Sequence, residues 1–145
     1  MPILNYTTQI STEKTVMEIQ RILSKAGALA IMTRFESGIL IGISFRIATS
    51  LGPVNYDLPC DIDAVLKILK GNPRVTRKLA CRDQAARVGW RIIKDWVEAQ
   101  LALVEIQMVQ LDQVFLPYAK TGDGKTVYQR YLDHGMSGLV QIERQ

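Results

Sequence analysis

The chain of 145 residues carries 48% hydrophobic and 22% charged side chains, which is typical of a globular domain that folds in water. It has no run of the roughly 18–20 apolar residues that a membrane span needs, and its N-terminus lacks the basic and apolar regions of a signal peptide. We therefore expect a single cytoplasmic domain over residues 1–145, with no membrane partner. The two cysteines, Cys60 and Cys81, are too few for a disulfide framework and are expected to be reduced.

The net charge of +4 is distributed unevenly along the chain. Residues 64–94 contain nine basic residues and one acid, Asp83, so this segment carries +8 and the rest of the chain −4. Such a concentration of positive charge is typical of a surface that binds polyanions, although a solvated edge that only keeps the protein soluble has the same composition. The nine basic residues are Lys67, Lys70, Arg74, Arg77, Lys78, Arg82, Arg87, Arg91 and Lys94.

The N-terminal region predicts a strand followed by a helix. Residues 3–10 are rich in threonine, tyrosine and isoleucine, as strands are. Ser11 or Thr12 then supplies the N-cap of a helix whose apolar residues keep helical spacing, and Gly27 is expected to end it.

Three further strands are expected, over residues 28–35, 39–49 and 54–58. The first two are joined by the short link Glu36-Ser37-Gly38, which predicts a β-hairpin. In the strand over 39–49, large apolar residues alternate with small and polar ones, so one face of the sheet should belong to the core and the other should be more open. In the last of these strands, Tyr56 falls on the buried side.

A short helix is expected over residues 62–70, bounded by Pro59-Cys60-Asp61 and Gly71-Asn72-Pro73. Asp61 and Asp63 resemble a paired-carboxylate metal site. Both fall at the first turn of the helix, however, where acidic side chains cap free N–H groups and complement the helix dipole. We therefore predict a capping role for this pair and no metal site.

The longest predicted helix runs from Asp83 to Phe115 and is stopped by Pro117. It contains the stretch ARVGWRIIKDWVEAQ, residues 86–100, which combines two tryptophans with several charged side chains. At 1.5 Å per residue such a helix would span about 50 Å, which is long for a domain of this size.

The apolar side chains of this helix cover more than about 200° of its circumference, whereas packing against one sheet needs only about 100–140°. The excess predicts a homo-oligomer, most simply a dimer, with this helix in the interface. Two glutamines, seven positions apart on the apolar arc, would either set the register of that interface or lie at its wet edge. The expected interface residues are Trp90, Trp96, Gln100, Leu103 and Gln107.

The order of these elements predicts an α+β fold with two layers. We expect an antiparallel sheet of about four strands, helices on one of its faces and one long C-terminal helix. Residues 1–71 would form the first part, residues 83–116 the long helix and residues 117–145 a C-terminal extension. In that extension a short helix is expected near residues 125–134, followed by a small apolar run at 139–142.

The motifs of common enzyme classes are not found in this sequence. Residues 121–126, TGDGKT, imitate the end of a phosphate-binding P-loop, but Ala119 replaces the first glycine of that motif and no buried strand precedes it. His134, the only histidine, has no cysteine at zinc-ligand spacing, and a Cys–His nucleophile assembled only in space is left open. We therefore expect a turn at 121–126 and a binding protein, not an enzyme, with no cofactor and no metal.

Four stretches, MPILNYTT at residues 1–8, EIQRIL at 18–23, the stretch at 86–100 and VFLPY at 114–118, carry a resemblance. They resemble a group of small proteins of bacteriophages and mobile elements of Gram-positive bacteria, for which no activity is established. The resemblance implies a host bacterial cell as the setting. It also implies a role against host defence, by sequestering a nucleotide signal or by blocking a defence protein. The order of helix, strands and helix with the basic entry Arg77-Lys78 more weakly resembles double-stranded-RNA-binding domains.

The candidate phosphate-binding residues are basic side chains with few acids beside them, since guanidinium groups pair phosphates bidentately. We expect an oligomer that binds a phosphate-bearing ligand, and favour a small nucleotide at a subunit interface, where tryptophan and arginine supply stacking and phosphate pairing. Nucleic-acid binding by the same segment and inhibition of a host defence protein are the alternatives. The candidates are Arg74, Arg77, Lys78, Arg82, Arg87 and Arg91.

Overall fold

The computed structural model describes residues 3–139 of the chain. Within this range it contains five α-helices and one antiparallel sheet in the order β1-β2-β3, which confirms the α+β class but gives three strands where about four were predicted. None of the helices in this range is long and apolar enough to cross a membrane. The elements are α1 Thr12–Lys25, β1 Ala30–Glu36, β2 Ile39–Thr49, β3 Gly52–Asp57, α2 Ile62–Gly71, α3 Arg82–Glu105, α4 Leu111–Phe115 and α5 Val127–His134.

The strand predicted for residues 3–10 is not formed, so that prediction is wrong. The segment makes a turn in which Asn5 has a φ of 64°, and it lies against α3. The buried side chain of Gln84 donates from Nε2 to the carbonyl oxygens of Tyr6, at 2.9 Å, and Thr8, at 3.0 Å. One glutamine therefore satisfies backbone acceptors that a neighbouring strand would otherwise have to satisfy.

The outer edge of β3 is extended instead by residues that follow α4. Ala119 forms an isolated antiparallel bridge with Tyr56, and the N–H of Lys120 donates to the carbonyl oxygen of Asn55 at 2.7 Å. This contact is too short to count as a strand, but it joins the C-terminal part of the chain to the sheet.

Both helices that flank the sheet in sequence begin at the predicted caps. Ser11 Oγ accepts a hydrogen bond from the N–H of Lys14 at 3.1 Å, and Asp61 Oδ1 accepts one from the N–H of Ala64 at 3.0 Å. The predicted capping role of Asp61 is therefore confirmed. α1 ends at Lys25, and Gly27, two residues beyond, stops it with a φ of 100°, which is readily adopted only by a residue without a side chain.

The helix-facing side of β2 forms the centre of the core, as its alternating pattern predicts. Ile43, Phe45 and Ile47 are buried on this face. The Phe45 ring stacks on Tyr56 with centroids 5.2 Å apart and meets the edge of Phe115 at 5.6 Å. The aromatic cluster therefore joins two strands to a residue far along the chain.

The long helix is shorter than predicted, because α3 ends at Glu105. Gln107 adopts the left-handed conformation, with a φ of 64°. Its N–H donates to the carbonyl of Val104, and the N–H of Met108 donates to that of Leu103, both at 3.0 Å. These two bonds form a Schellman motif, which ends the helix and redirects the chain. Glycine usually occupies this position, and its absence is why the pattern predicted a continuous helix to Phe115.

The change of direction brings the next segment back onto α3 and covers apolar surface that the sequence assigned to a second subunit. Trp96 meets the rings of Phe115 and Tyr118 edge to face, with centroids 5.5 Å away in both cases. Trp90 is completely buried, and its Nε1–H donates to the carbonyl oxygen of Leu40 at 2.9 Å. The core of the single chain therefore accounts for Trp90, an expected interface residue.

The remaining expected interface residues have different positions. Gln107 lies beyond the end of α3, so it does not share a helical face with Gln100 as predicted. Gln100 and Leu103 are half-buried on α3. α5 covers most of the short helix expected near residues 125–134, whereas most of the apolar run predicted at 139–142 lies outside the described residues.

The two tryptophans should respond differently to truncation. We expect Trp90→Phe to lower the free energy of unfolding by at least about 2 kcal/mol, since it leaves a buried carbonyl unpaired and a void around the smaller ring. Trp96→Phe keeps an aromatic ring against Phe115 and should cost about 1 kcal/mol or less. Urea denaturation followed by circular dichroism measures both values, and equal losses would contradict the burial assigned to Trp90.

The left-handed backbone of Gln107 after α3 leads to a prediction about stability. Gln107→Gly should raise the free energy of unfolding by roughly 0.5–1 kcal/mol, because glycine escapes the steric cost of a positive φ and this gain exceeds its entropic cost. Glu105→Gly, two residues earlier in helical backbone, is the matched control and should lower stability by about 1 kcal/mol. If both glycines destabilise the protein in thermal unfolding, the helix does not end at this motif.

Candidate anion-binding surface

The first basic residue of α3, Arg82, belongs to a cluster of charges of both signs. Its guanidinium pairs with the carboxylate of Asp63 at the start of α2, and its Nη2 lies 3.9 Å from Glu36 Oε1 at the end of β1. Arg82 therefore connects three elements. Two nearby carboxylates compensate its positive charge, which makes it a poor candidate for phosphate binding.

Arg87 and Arg91 lie further along α3 and also have partners within the chain. Arg91 Nη1 pairs with Glu18 Oε2 on α1 at 2.5 Å, and Arg87 Nε donates to Gln84 Oε1 at 2.8 Å. Both arginines are half-buried. Arg91 therefore joins α3 to α1, and Arg87 supports Gln84, the residue that binds the N-terminal segment. Lys94, one turn beyond Arg91, pairs with Glu98 at 2.6 Å.

Five of the nine basic residues remain exposed, and none of them makes an ion pair or a side-chain hydrogen bond within residues 3–139. We call them the basic strip. No acidic residue occurs between positions 64 and 82, so the strip has no compensating charge along the chain. Its members are Lys67, Lys70, Arg74, Arg77 and Lys78.

The local structure of the strip follows from the break after α2. Its first two lysines lie in the last turns of α2, which ends before Pro73. Asn72 Oδ1 then accepts a hydrogen bond from the N–H of Arg74 at 2.9 Å, and the neighbouring Val75 is buried and anchors the link to the core. The 3₁₀ turn Arg77–Leu79 carries the last two cations outward. Backbone interactions thus position the strip and leave its charged groups free.

The surface around the strip is open. A shallow groove along α2 is lined by Leu66, Lys67, Lys70 and Gly71, with Asp63 at its end, and it opens broadly to solvent. Such a surface can follow an extended line of negative charges. It does not surround a small molecule, because a ligand pocket buries most of its ligand.

Three of the six candidate phosphate-binding residues, Arg74, Arg77 and Lys78, belong to the strip, whereas the three on α3 have intramolecular partners. No pattern in the sequence shows the partners of Arg91 and Arg82, because Glu18 precedes Arg91 by 73 positions and Asp63 precedes Arg82 by 19. The other two members of the strip were absent from the candidate set. For one of them, Lys70, a signal exists, since no acid lies one helical turn before or after it.

The residues singled out for catalysis or metal binding have local roles. Burial, with a further contribution from the charge of Asp61, raises the pKa of the Cys60 thiol to about 12, so this side chain stays protonated near neutral pH. Lys125, in the segment that imitates a P-loop, pairs with Asp133 of α5 at 2.7 Å. In the part of the chain that the structure describes, no three His, Cys, Asp or Glu side chains are grouped so that they could hold a metal ion.

The chain matches no protein-family model, no curated protein and no solved structure.

The turn at residues 121–124 generates a prediction about pH. The pKa of Asp123 is lowered from 3.8 to about 2. The largest cause is the hydrogen bond from the Thr121 hydroxyl, and the hydrogen bond from the N–H of Lys125 and the charge of Arg130 contribute less. Because the folded pKa lies below the unfolded one, the turn gains stability that is complete above about pH 3.8 and is lost as the pH falls through about 2. Carboxyl-carbon NMR should give a midpoint for Asp123 well below 3.8.

Two substitutions test the cause of that shift. Thr121→Val removes the first contribution and should move the midpoint of Asp123 upward. Thr7→Val, an exposed substitution in a different part of the fold, should leave the midpoint unchanged. An unshifted pKa of Asp123 in the unsubstituted protein would contradict the hydrogen bonds that Thr121 and the N–H of Lys125 donate to it.

Proposed function

We propose that the protein binds the phosphate backbone of nucleic acid through the basic strip. The observation that carries this proposal is the contrast within the basic segment. Its cations on α3 have partners inside the fold, whereas the five of the strip are exposed and have none among the described residues. Cations already paired would have to lose a partner to bind phosphate, whereas free cations lose only water and counterions.

The shape of the surface favours a polymer over the single nucleotide that the sequence suggested. The groove beside Lys67 and Lys70 is shallow and open, and the other cations of the strip follow, all exposed, in the link and in the 3₁₀ turn Arg77–Leu79. Trp90, which was expected at the subunit interface where a nucleotide would bind, is inside the core. Both facts support contacts spaced along a backbone.

The composition of the strip suggests binding with little sequence preference. Three of its members are lysines, which act as mobile point charges, and two are arginines, which can pair phosphates bidentately. Phosphate contacts position a protein on a duplex and carry no direct sequence information. We therefore expect binding that depends on salt more than on sequence.

The homo-oligomer, the capture of a nucleotide signal and the binding of a host defence protein stay predictions. A homo-oligomer would carry several copies of the strip and would raise avidity without any new contact. The partly exposed residues Trp96, Gln100 and Leu103 on α3 are available for such an interface. The counter-defence role implied by the resemblance, by nucleotide capture or by binding a host protein, is compatible with the strip but does not follow from it.

Removing charge from the strip tests the proposal directly. The triple variant Lys70→Gln, Arg74→Gln, Lys78→Gln should bind a short DNA duplex of mixed sequence more weakly. For this variant, the slope of log K for binding against log salt concentration should be smaller in magnitude by up to about 2.7, since each lost contact with a duplex phosphate reduces that slope by about 0.9. Fluorescence anisotropy at several salt concentrations measures both quantities.

The matched control is the triple variant Lys14→Gln, Arg21→Gln, Lys25→Gln on α1, which removes the same charge and the same residue types from exposed positions. It should change the affinity less and leave the slope almost unchanged. If both variants weaken binding equally, net charge alone attracts the duplex and the strip is not the site. A salt-independent affinity in the unsubstituted protein would also overturn the proposal.

A further inference from the structure

The face of the sheet away from the helices holds a second group of cations. Pairing across the strands places Arg34, Arg46 and Asp57 on this face, together with Ser44. Lys120 reaches it from the segment that bridges to β3. These side chains line an open depression of about 370 Å³, whose remaining lining residues are Ala30, Met32, Phe45 and Asn55. The volume lies within the range of small-ligand sites.

A glycine leaves room for one of the two arginines in this depression. Gly42 lies opposite Arg34 in the β1–β2 ladder, and the guanidinium of Arg34 covers it. A Cβ atom at position 42 would lie 2.8 Å from Arg34 Nε and 2.9 Å from Arg34 Cζ, closer than carbon atoms in side chains approach such groups. The missing side chain therefore makes the space in which the guanidinium lies against the strand.

The acid in the depression is already used by other groups. Asp57 Oδ1 accepts a hydrogen bond from Ser44 Oγ at 2.5 Å, and Asp57 Oδ2 pairs with Lys120 Nζ at 3.0 Å. Arg34 and Arg46 make neither an ion pair nor a side-chain hydrogen bond within residues 3–139. The charged lining therefore has three cations and one acid, a net charge of +2, with two guanidinium groups available to a ligand.

We propose that this depression binds a dianionic phosphomonoester. A phosphomonoester carries a charge of about −1.5 to −2 at neutral pH, which matches the net charge of the lining, whereas a carboxylate would balance only half of it. Guanidinium groups donate two parallel hydrogen bonds to phosphate oxygens, so each of the two arginines that line the depression offers a bidentate contact. Lys120, held by Asp57, adds a further positive charge beside them.

This site is separate from the basic strip. The strip runs over α2 and the link to α3, whereas the depression is formed by β1, β2, β3 and the residue that bridges to the sheet edge. The strip offers an open surface to a line of phosphates, and the depression offers two arginines to one terminal phosphate. The two proposals therefore stand or fall independently.

The experiment uses NMR of the arginine side chains in the full chain. Adenosine monophosphate and ribose 5-phosphate, each titrated to millimolar concentration, should shift the Nε–H resonances of Arg34 and Arg46 saturably, and adenosine should not. Equal affinities would identify the phosphate as the determinant, and tighter binding of the nucleotide would add a contact to its base, for which Met32 is exposed nearby. Both results support a phosphomonoester site.

Two variants change the position or the shape of the Arg34 cation and leave the net charge of the depression unchanged. Gly42→Ala keeps every charge but displaces the guanidinium of Arg34, and Arg34→Lys keeps the charge but loses the bidentate fork. Each should weaken the phosphomonoesters at least tenfold. Gly71→Ala, where an added Cβ meets no atom within 4 Å, and Arg21→Lys on exposed α1 are the matched controls and should bind as the unsubstituted protein does.

The outcomes separate the two sites. The Lys70, Arg74 and Lys78 triple variant should keep its affinity for the phosphomonoesters, and Gly42→Ala should keep its affinity for duplex DNA. The proposal is overturned if neither phosphomonoester gives a saturable shift. It is also overturned if Gly42→Ala and Arg34→Lys, both folded by circular dichroism, bind as tightly as their controls.

Discussion

The reversal of the chain after α3 is the constraint on which the rest of the core depends. A Schellman motif at Gln107 ends the helix, and the next residues return to cover Trp96 with Phe115 and Tyr118. The same return places Phe115 edge-on against both Phe45 and Tyr56 of the sheet. Without it, the apolar surface of α3 would exceed what one small sheet can cover, and several aromatic rings would face water.

The distribution of charge follows from the position of α3 between its neighbours. α1 supplies Glu18 to Arg91, and the start of α2 supplies Asp63 to Arg82. These pairs hold the helices in register and remove their arginines from the set available to ligands. The cations of the link between α2 and α3 form no ion pair within residues 3–139. Packing therefore selects which basic residues can act, out of a segment that is uniformly basic in sequence.

The two proposed anion-binding surfaces differ in the local structure that presents their cations. Side chains of the basic strip extend from a helix end and a short link, with freedom to adjust to phosphates at irregular spacing. On the sheet, the missing side chain at Gly42 leaves room for the guanidinium of Arg34, and Asp57 pairs with Lys120. A row of exposed charges suits a polymer, whereas two guanidinium groups that line one depression suit a single phosphate.

Local patterns were enough to predict the elements whose signals are local. Ser11, Gly27 and Asp61 mark helix ends through side-chain oxygens or a positive φ, and the alternation in β2 identifies its buried face. The same motif ends both α1 and α3. It was predicted for α1 and missed for α3, because Gly27 signals a left-handed residue and Gln107 does not.

Contacts between distant parts of the chain decided the rest. The threonines and isoleucines of residues 3–10 have strand propensity, but Gln84, some 76–78 positions away, satisfies their backbone in a turn. The burial of Trp90 and the loss of Arg82 and Arg91 as free charges likewise depend on partners such as Leu40, Asp63 and Glu18. Propensity and periodicity report energies between near neighbours, whereas these choices depend on which surfaces meet when the chain folds.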